Sequence, residues 1–386
     1  MSSSINDIET YRRKRRRKRW IKRIILFLIV MVLLSGALLA FSYFQDFDLF
    51  GIGQSGGGDG EANGFPISMA GDKVVSAGSM GKNLAVITET KMHLYSNEGK
   101  SVMTSNHGYS NPVFKAAQKK LLVYDRGGGD FKIEGTRGTI LKKTLTDKIV
   151  LGEISPEGYV AIVTQSDRYA SVLHVYDSSL EEIFVWYSEN QIVAADFKNG
   201  SKGCVVAVIG AQGGEMVSSL VGLDFAKEKE EYSTQVKGVM ALSVDIKASG
   251  QTQLIGDTMA CSFSSDGKLK QTYTYNKTLS HYDNSFDKGA ALILTDAGGS
   301  VTNTAVVLGS DGAEKTSKQV GSVVKGLSCD GSHLLLLSDE KVVYYDLSLA
   351  NPKTKGCSAD AQSAVLIGEN AYVMGSKEIQ KISMGS

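Results

Sequence analysis

A pattern that returns about every forty residues constrains this chain more than anything else in it. "HLYSNEGKS" (93–101), "HVYDSSLEE" (174–182), "SFSSDGKLK" (262–270), "VLGSDGAEK" (307–315) and "VYYDLS" (343–348) each end a strand-like run in a bulky residue and continue into a Ser/Asp/Gly turn. Fainter copies are "KIEGTRG" (132–138), "VGLDFAKEK" (221–229) and "QKISMGS" (380–386). The last bulky residues are Tyr95, Ile133, Tyr176, Leu223, Phe263, Leu308, Tyr345 and Ile382, at intervals of 38, 43, 47, 40, 45, 37 and 37 with a mean of 41. A period near 40 with about four short strands per unit is the signature of a β-propeller, since one blade cannot bury its apolar faces alone and must stack on others around an axis.

In the third unit the four strands read "KIVLGEIS", "YVAIVTQ", "SVLHVYD" and "EEIFVWYS", lettered a to d from the centre outward. The last unit supplies only three, "SAVLIG", "AYVMG" and "EIQKIS", before the chain ends. Its missing outer strand is expected from the other end, as "FPISMA" (65–70), which would join the termini, cover a sheet edge and give eight blades. Seven blades with irregular insertions is the alternative count. The fold class is therefore all-β, with four prolines in the whole chain and no convincing amphipathic helix after Phe65.

The N-terminal part is of another kind. Ten Lys/Arg stand against Asp7 and Glu9 in residues 1–23, leaving 32 basic and 39 acidic residues in 24–386. A body of that sign is a poor nucleic-acid binder, because such affinity comes largely from cations that neutralise phosphates. Residues 24–44, "IILFLIVMVLLSGALLAFSYF", carry no charge over 21 positions, long enough as a helix to span the roughly 30 Å hydrocarbon core. The preceding basic run is expected to hold the N-terminus in the cytoplasm and to meet anionic lipid, placing the chain beyond the apolar run outside. A cleaved signal peptide competes through "SGA" (35–37), but the apolar run continues for seven residues beyond it. "GIGQSGGGDGEANG" (51–64) contains a formal G-x-G-x-x-G without the strand before and helix after that a phosphate loop needs, so it reads as a flexible tether. The expected division is a cytoplasmic tail (1–23), a membrane anchor (24–44), a linker (45–64) and the propeller (65–386).

Enzyme motifs are missing. The five histidines show no H-x-x-x-H spacing, and no G-x-S-x-G or G-x-x-x-x-G-K-[ST] occurs. His93 and His174 hold equivalent places in strand c, which suits repeated packing better than ligation. A quinone-dependent propeller dehydrogenase would repeat Trp in its blades, whereas this chain has only Trp20 and Trp186. Cys204, Cys261, Cys329 and Cys357 fall on strand b of blade four, c of blade five, and a and d of blade seven, too far apart for disulfides, so free and buried thiols are expected. No metal or cofactor is called for.

One face collects reactive side chains. The b-to-c turn of blade two, "DRGGGD" (125–130), the b-to-c turn of blade three, "SDRYA" (166–170), and the connection entering blade two, "SNHGYSNP" (105–112), should emerge on the same side. His107, Tyr109, Asn111, Asp125, Arg126, Asp167, Arg168 and Tyr169 are the candidate partner-binding residues, since loops on a rigid scaffold are favoured binding sites. In the alternative reading each Asp-Arg pair merely caps its own turn and pairs internally.

"HGYSNPV", "YDRGG" and "SDRYAS.L.VYD", together with the basic tail, anchor and tether, resemble a family of single-pass membrane proteins of Gram-positive bacteria known as a domain of unknown function with a predicted propeller. The likeness covers most of the chain from Phe65 and loosens after blade four. It implies an envelope location and a propeller fold, and it carries over no catalytic residue. The expected function is a membrane-anchored extracytoplasmic module that binds or scaffolds an envelope protein. A propeller enzyme or carbohydrate-processing protein is the alternative.

Overall fold

The computed structural model describes residues 64–385 apart from 70, 228 and 297–301. The basic tail, the apolar run 24–44 and residues 45–63 of the linker lie outside the described residues. Among the described residues no helix is long and apolar enough to cross a membrane.

The described strands form eight four-stranded antiparallel sheets, seven of them meanders of consecutive strands. Blade three is a (Ile149–Ile154), b (Val160–Thr164), c (Ser171–Tyr176) and d (Glu182–Ser188), as read from the sequence. The inner strands of blades one to five neighbour one another in turn, as do those of blades six to eight, and those of blades eight and one also meet. Between adjacent blades lie cores such as Ala161, Val163, Leu173 and Val175 of blade three against Ile192, Cys204, Val206 and Val208 of blade four. These side chains alternate along each strand, so each sheet buries one set against the blade before it and the other against the blade after it.

The sequence repeat has a local cause. Between strands c and d the register slips at Tyr95, Tyr176, Phe263 and Leu308, four of the bulky residues that mark the period. All four are buried, so the bulge bends the strand and turns a large side chain into the core. In the adjoining turns, the amide of Gly99 donates to the carbonyl of Ser96 and that of Gly267 to Ser264, with the glycines at φ +84° and +79°. The opening Asp or Ser caps the turn, as where Asp177 Oδ1 accepts the amides of Ser179 and Glu181. Blades three and seven place Leu180 (φ +62°) and Leu349 (φ +58°) where blades one, five and six have glycine. The left-handed conformation costs about 1–2 kcal/mol, and burial of each leucine offsets it.

Closure settles the blade count. Ile67 and Ser68 pair antiparallel with Ile379 and Glu378, so the segment just before blade one is the outer strand of blade eight. Ile67 and Met69 are buried among Leu84, Val86 and Tyr95 of blade one and Tyr372 and Ile379 of blade eight.

All four cysteines are free. Cys204 and Cys261 are buried, with burial pushing the Cys204 thiol up to about 12, whereas Cys329 and Cys357 are half-buried rather than fully enclosed. Cys357 lies one residue past strand d of blade seven (Lys353–Gly356), not within it.

Candidate functional site

The three candidate stretches share one face, joined by backbone hydrogen bonds. Arg126 N–H donates to Asn111 O at 3.0 Å, Gly127 N–H to Ile149 O at 2.8 Å, and Gln165 N–H to Lys148 O at 2.9 Å. The blade-two turn thus meets the entry to blade two on one side and the entry to blade three on the other, with the blade-three turn beyond.

The candidates do not act alike. His107 Nε2 lies 3.0 Å from the carbonyl of Thr88, which can only accept, and its Nδ1 accepts the amide of Tyr109 at 3.0 Å. The imidazole is therefore neutral with both nitrogens engaged, and burial holds its pKa below the usual histidine range. Tyr109 does not face outward: it is buried beside Met103, Leu121 and Val123, which raises its phenol well above the ordinary range. Asp125 Oδ1 accepts the amide of Asn111 at 2.8 Å. The expected convergence of an imidazole, two tyrosines and two arginines on the surface is corrected accordingly, because His107, Tyr109, Asn111 and Asp125 build the connection into blade two.

Beneath that connection lies a group the sequence reading missed. Lys132 Nζ donates to Ser105 Oγ at 2.7 Å and to Asn106 O at 2.8 Å, and sits 2.5 Å from Glu134 Oε1. Both charged residues are in strand c of blade two and are almost wholly buried. Alternation makes Lys132 and Glu134 share one face of that strand; what hid their role is that only the neighbouring blade shows the face to be covered.

Arg126, Asp167, Arg168 and Tyr169 remain available. Among the described residues neither arginine makes an ion pair, so the Asp-Arg pairs do not close on themselves. Arg126 directly follows strand b, whereas Arg168 sits at the crest of its turn; the two are offset rather than repeated. Ser166 Oγ accepts the amides of Arg168 and Tyr169 at 3.2 and 3.3 Å and fixes that crest. The Arg168 guanidinium lies 5.9 Å from the Tyr169 ring centroid, and Tyr169 packs at 4.9 Å against Tyr187, itself 57% exposed. Tyr187, on strand d, was not foreseen as part of this face.

A second feature lines the inner ring. Glu153, Asp196, Asp245 and Asp283 occupy strand a of four consecutive blades. Asp196 Oδ2 accepts the amide of Ile246 at 2.6 Å and Asp283 Oδ2 that of Cys329 at 2.8 Å, stitching the inner strand of blade four to that of blade five and that of blade six to that of blade seven. Ser328 Oγ continues the pattern by accepting the amide of Leu366 at 3.0 Å. Lys115 reaches Glu153 at 2.8 Å and Lys247 reaches Asp245 at 2.6 Å. Burial, reinforced by Asp245 and Glu153, pushes the Asp196 carboxyl up to about 8. Acids recurring at the blade period, in "LGEIS", "AADFK", "SVDIK" and "HYDNS", were a readable signal. Among the described residues no group of three side chains is placed to hold a metal ion.

Solved structures share the architecture. The chain is similar to BamB from Moraxella catarrhalis (12% identity, TM-score 0.52, covering 79% of this chain and 96% of that one). It is also similar to the WD40 domain of SCAP from fission yeast (9%, 0.54, 83% and 97%). The third is apo AztD from Citrobacter koseri (10%, 0.53, 79% and 90%). At these identities the likeness concerns fold alone. No curated protein matches the sequence. The model of the family of unknown function DUF5711 matches residues 67–384, nearly the whole described propeller, and the chain belongs to that family.

Proposed function

We propose that the chain is a membrane-anchored extracytoplasmic propeller that holds a partner protein of the cell envelope on its blade-two and blade-three face. The uncharged run 24–44 behind ten basic residues supports the anchor and its orientation. The observation that carries the binding reading is the crest of blade three: Arg168 exposed without an ion pair, over Tyr169, beside the exposed Tyr187. Arginine and tyrosine are the residue types that dominate binding energy at protein interfaces. His107, Tyr109, Asn111 and Asp125 serve this face by fixing the turn that presents Arg126.

The test joins two measurements on one protein. Arg168→Ala should leave the melting temperature nearly unchanged, because an exposed loop side chain adds little to the core, and should reduce crosslinking to the partner in membranes. A large loss of stability, or an unaltered crosslinking pattern, sinks the reading. Orientation is tested by a reporter active only outside the cytoplasm, fused after Ser386: activity is expected, and silence in an inserted chain refutes export.

A further inference from the structure

The outer strand of each blade presents one unpaired row of backbone amides and carbonyls, and native proteins blunt such edges with lysine, proline, bulges or brevity. The outer strands of blades two, four, five, six and seven each contain lysine, and that of blade one, "SVMTSN", is mostly polar. In blade eight the outer strand is only Ile67–Ser68. Blade three differs. Its strand d, Glu182–Ser188, reads "EIFVWYS": seven residues with five consecutive apolar or aromatic side chains and no lysine. It carries the propeller's single tryptophan, Trp186, and among the described residues pairs only with strand c.

The two faces of this strand are used differently. Phe184 and Trp186 pack into the core shared with blade four. Val185 and Tyr187, the latter 57% exposed, lie on the opposite face, and Ile183, 41% exposed, is the extra residue of the c-to-d bulge at the start of the strand. Tyr169 extends this stripe onto the loop face, where Arg168 stands over it. An exposed apolar edge of this length is an aggregation hazard unless something covers it.

We infer that strand d of blade three is a docking edge, on which an extended segment of the partner protein adds as a fifth strand. Only another backbone in β conformation can satisfy a row of amides and carbonyls at two-residue spacing. Val185 and Tyr187 on the regular part of the strand, with Ile183 exposed at the bulge beside them, ask for apolar side chains at alternate positions of the incoming segment. Arg168, with no ion pair of its own, asks for a carboxylate at the end nearest the loop face. The occupant is thus an extended peptide, alternately apolar and ending in an acidic residue. This inference rests on the reading of the blade-two and blade-three face as a binding surface and names the chemistry of what it takes.

The experiment uses the full-length chain in lipid nanodiscs, panned against phage displaying linear twelve-residue peptides. The probe is the most enriched peptide, made synthetically. Apolar residues should alternate in it, and binding should weaken at least tenfold in the double variant Ile183→Lys/Tyr187→Lys. Methylating its backbone nitrogens one at a time should disrupt binding at every second residue only. That series is read on the unaltered protein, so it decides the matter even if the double variant folds poorly. Absence of an enriched peptide, unchanged affinity in a folded double variant, or a methylation profile without the two-residue period overturns the proposal. Self-association through this strand, abolished by the two lysines, overturns it in favour of a second copy as occupant. If Arg168→Ala loses the crosslinked partner while the peptide arm fails, only the edge proposal falls; if the peptide binds and no partner is crosslinked, the envelope-partner reading falls instead.

Discussion

Lys132 Nζ and Glu134 Oε1 stand 2.5 Å apart in strand c of blade two, and the same ammonium reaches back to Ser105 and Asn106 at the end of blade one. The pair ties the candidate face to the core. Replacing Lys132 with Met leaves Glu134 as an uncompensated buried charge, and removing one partner of such a pair costs about 3–5 kcal/mol. Denaturant unfolding should show that loss for Lys132→Met, and the double variant Lys132→Met/Glu134→Gln should regain part of it. Equal stability of the single variant and the parent would refute the tie.

His107 provides a pH test. Its folded-state pKa is lowered, so the unfolded chain takes up the proton first as pH falls. Its contribution to stability is complete above about pH 6.5, the unfolded value, and declines as pH drops through the window below it. Protonation would put an Nδ1–H against the amide of Tyr109. Since His93 is shifted in the same direction, the informative quantity is a difference. Melting followed from pH 7.5 to 5 should fall less steeply in His107→Gln than in the parent, and parallel curves would exclude this role.

Asp196 works in the other direction. With its carboxyl raised to about 8, its contribution is fully present below the unfolded value near 3.8 and is lost as pH rises through about 8. Asp196→Asn removes the ionisation but puts an amide nitrogen where one oxygen accepts a backbone N–H, so the variant should be less stable at pH 5. The gap should narrow by pH 9, by an amount on the order of a few kcal/mol. A gap that is constant with pH would show that Asp196 is ionised throughout.

The closing strand is short enough for one residue to matter. Ile67 is 2% exposed and packs against both blade one and blade eight. Ile67→Ala should cost about 2–5 kcal/mol and lower the melting temperature, as for other large-to-small changes in a core. Removing residues 65–70 should go further and expose the edge of the last strand to aggregation. A chain starting at Gly71 with unchanged stability and solubility would count against closure by this segment.

Local chemistry was enough to read the architecture. A bulky residue at a c-to-d bulge with a capped turn after it is specified within about six neighbouring positions, so Tyr95, Tyr176, Phe263 and Leu308 announced their blades in the sequence. The blade order, the strands of blade three, the pairing of segment 65–70 with the last strand and the shared face of the three loops came from that period. What the tertiary structure alone decided was which polar groups are spent. Asp125 and Asp167 look alike in "DRG" and "DRY", yet only Asp125 has the amide of Asn111 within reach. His107 and Tyr109 read as surface residues until the carbonyl of Thr88 and the core of blade one claimed them. Tyr187 became part of the face only because Tyr169, 18 positions earlier, folds onto it. A turn or a bulge is a property of consecutive residues, whereas the partner of a side chain is set by which blade stands next to it, and a short window of sequence holds no information about the neighbouring sheet.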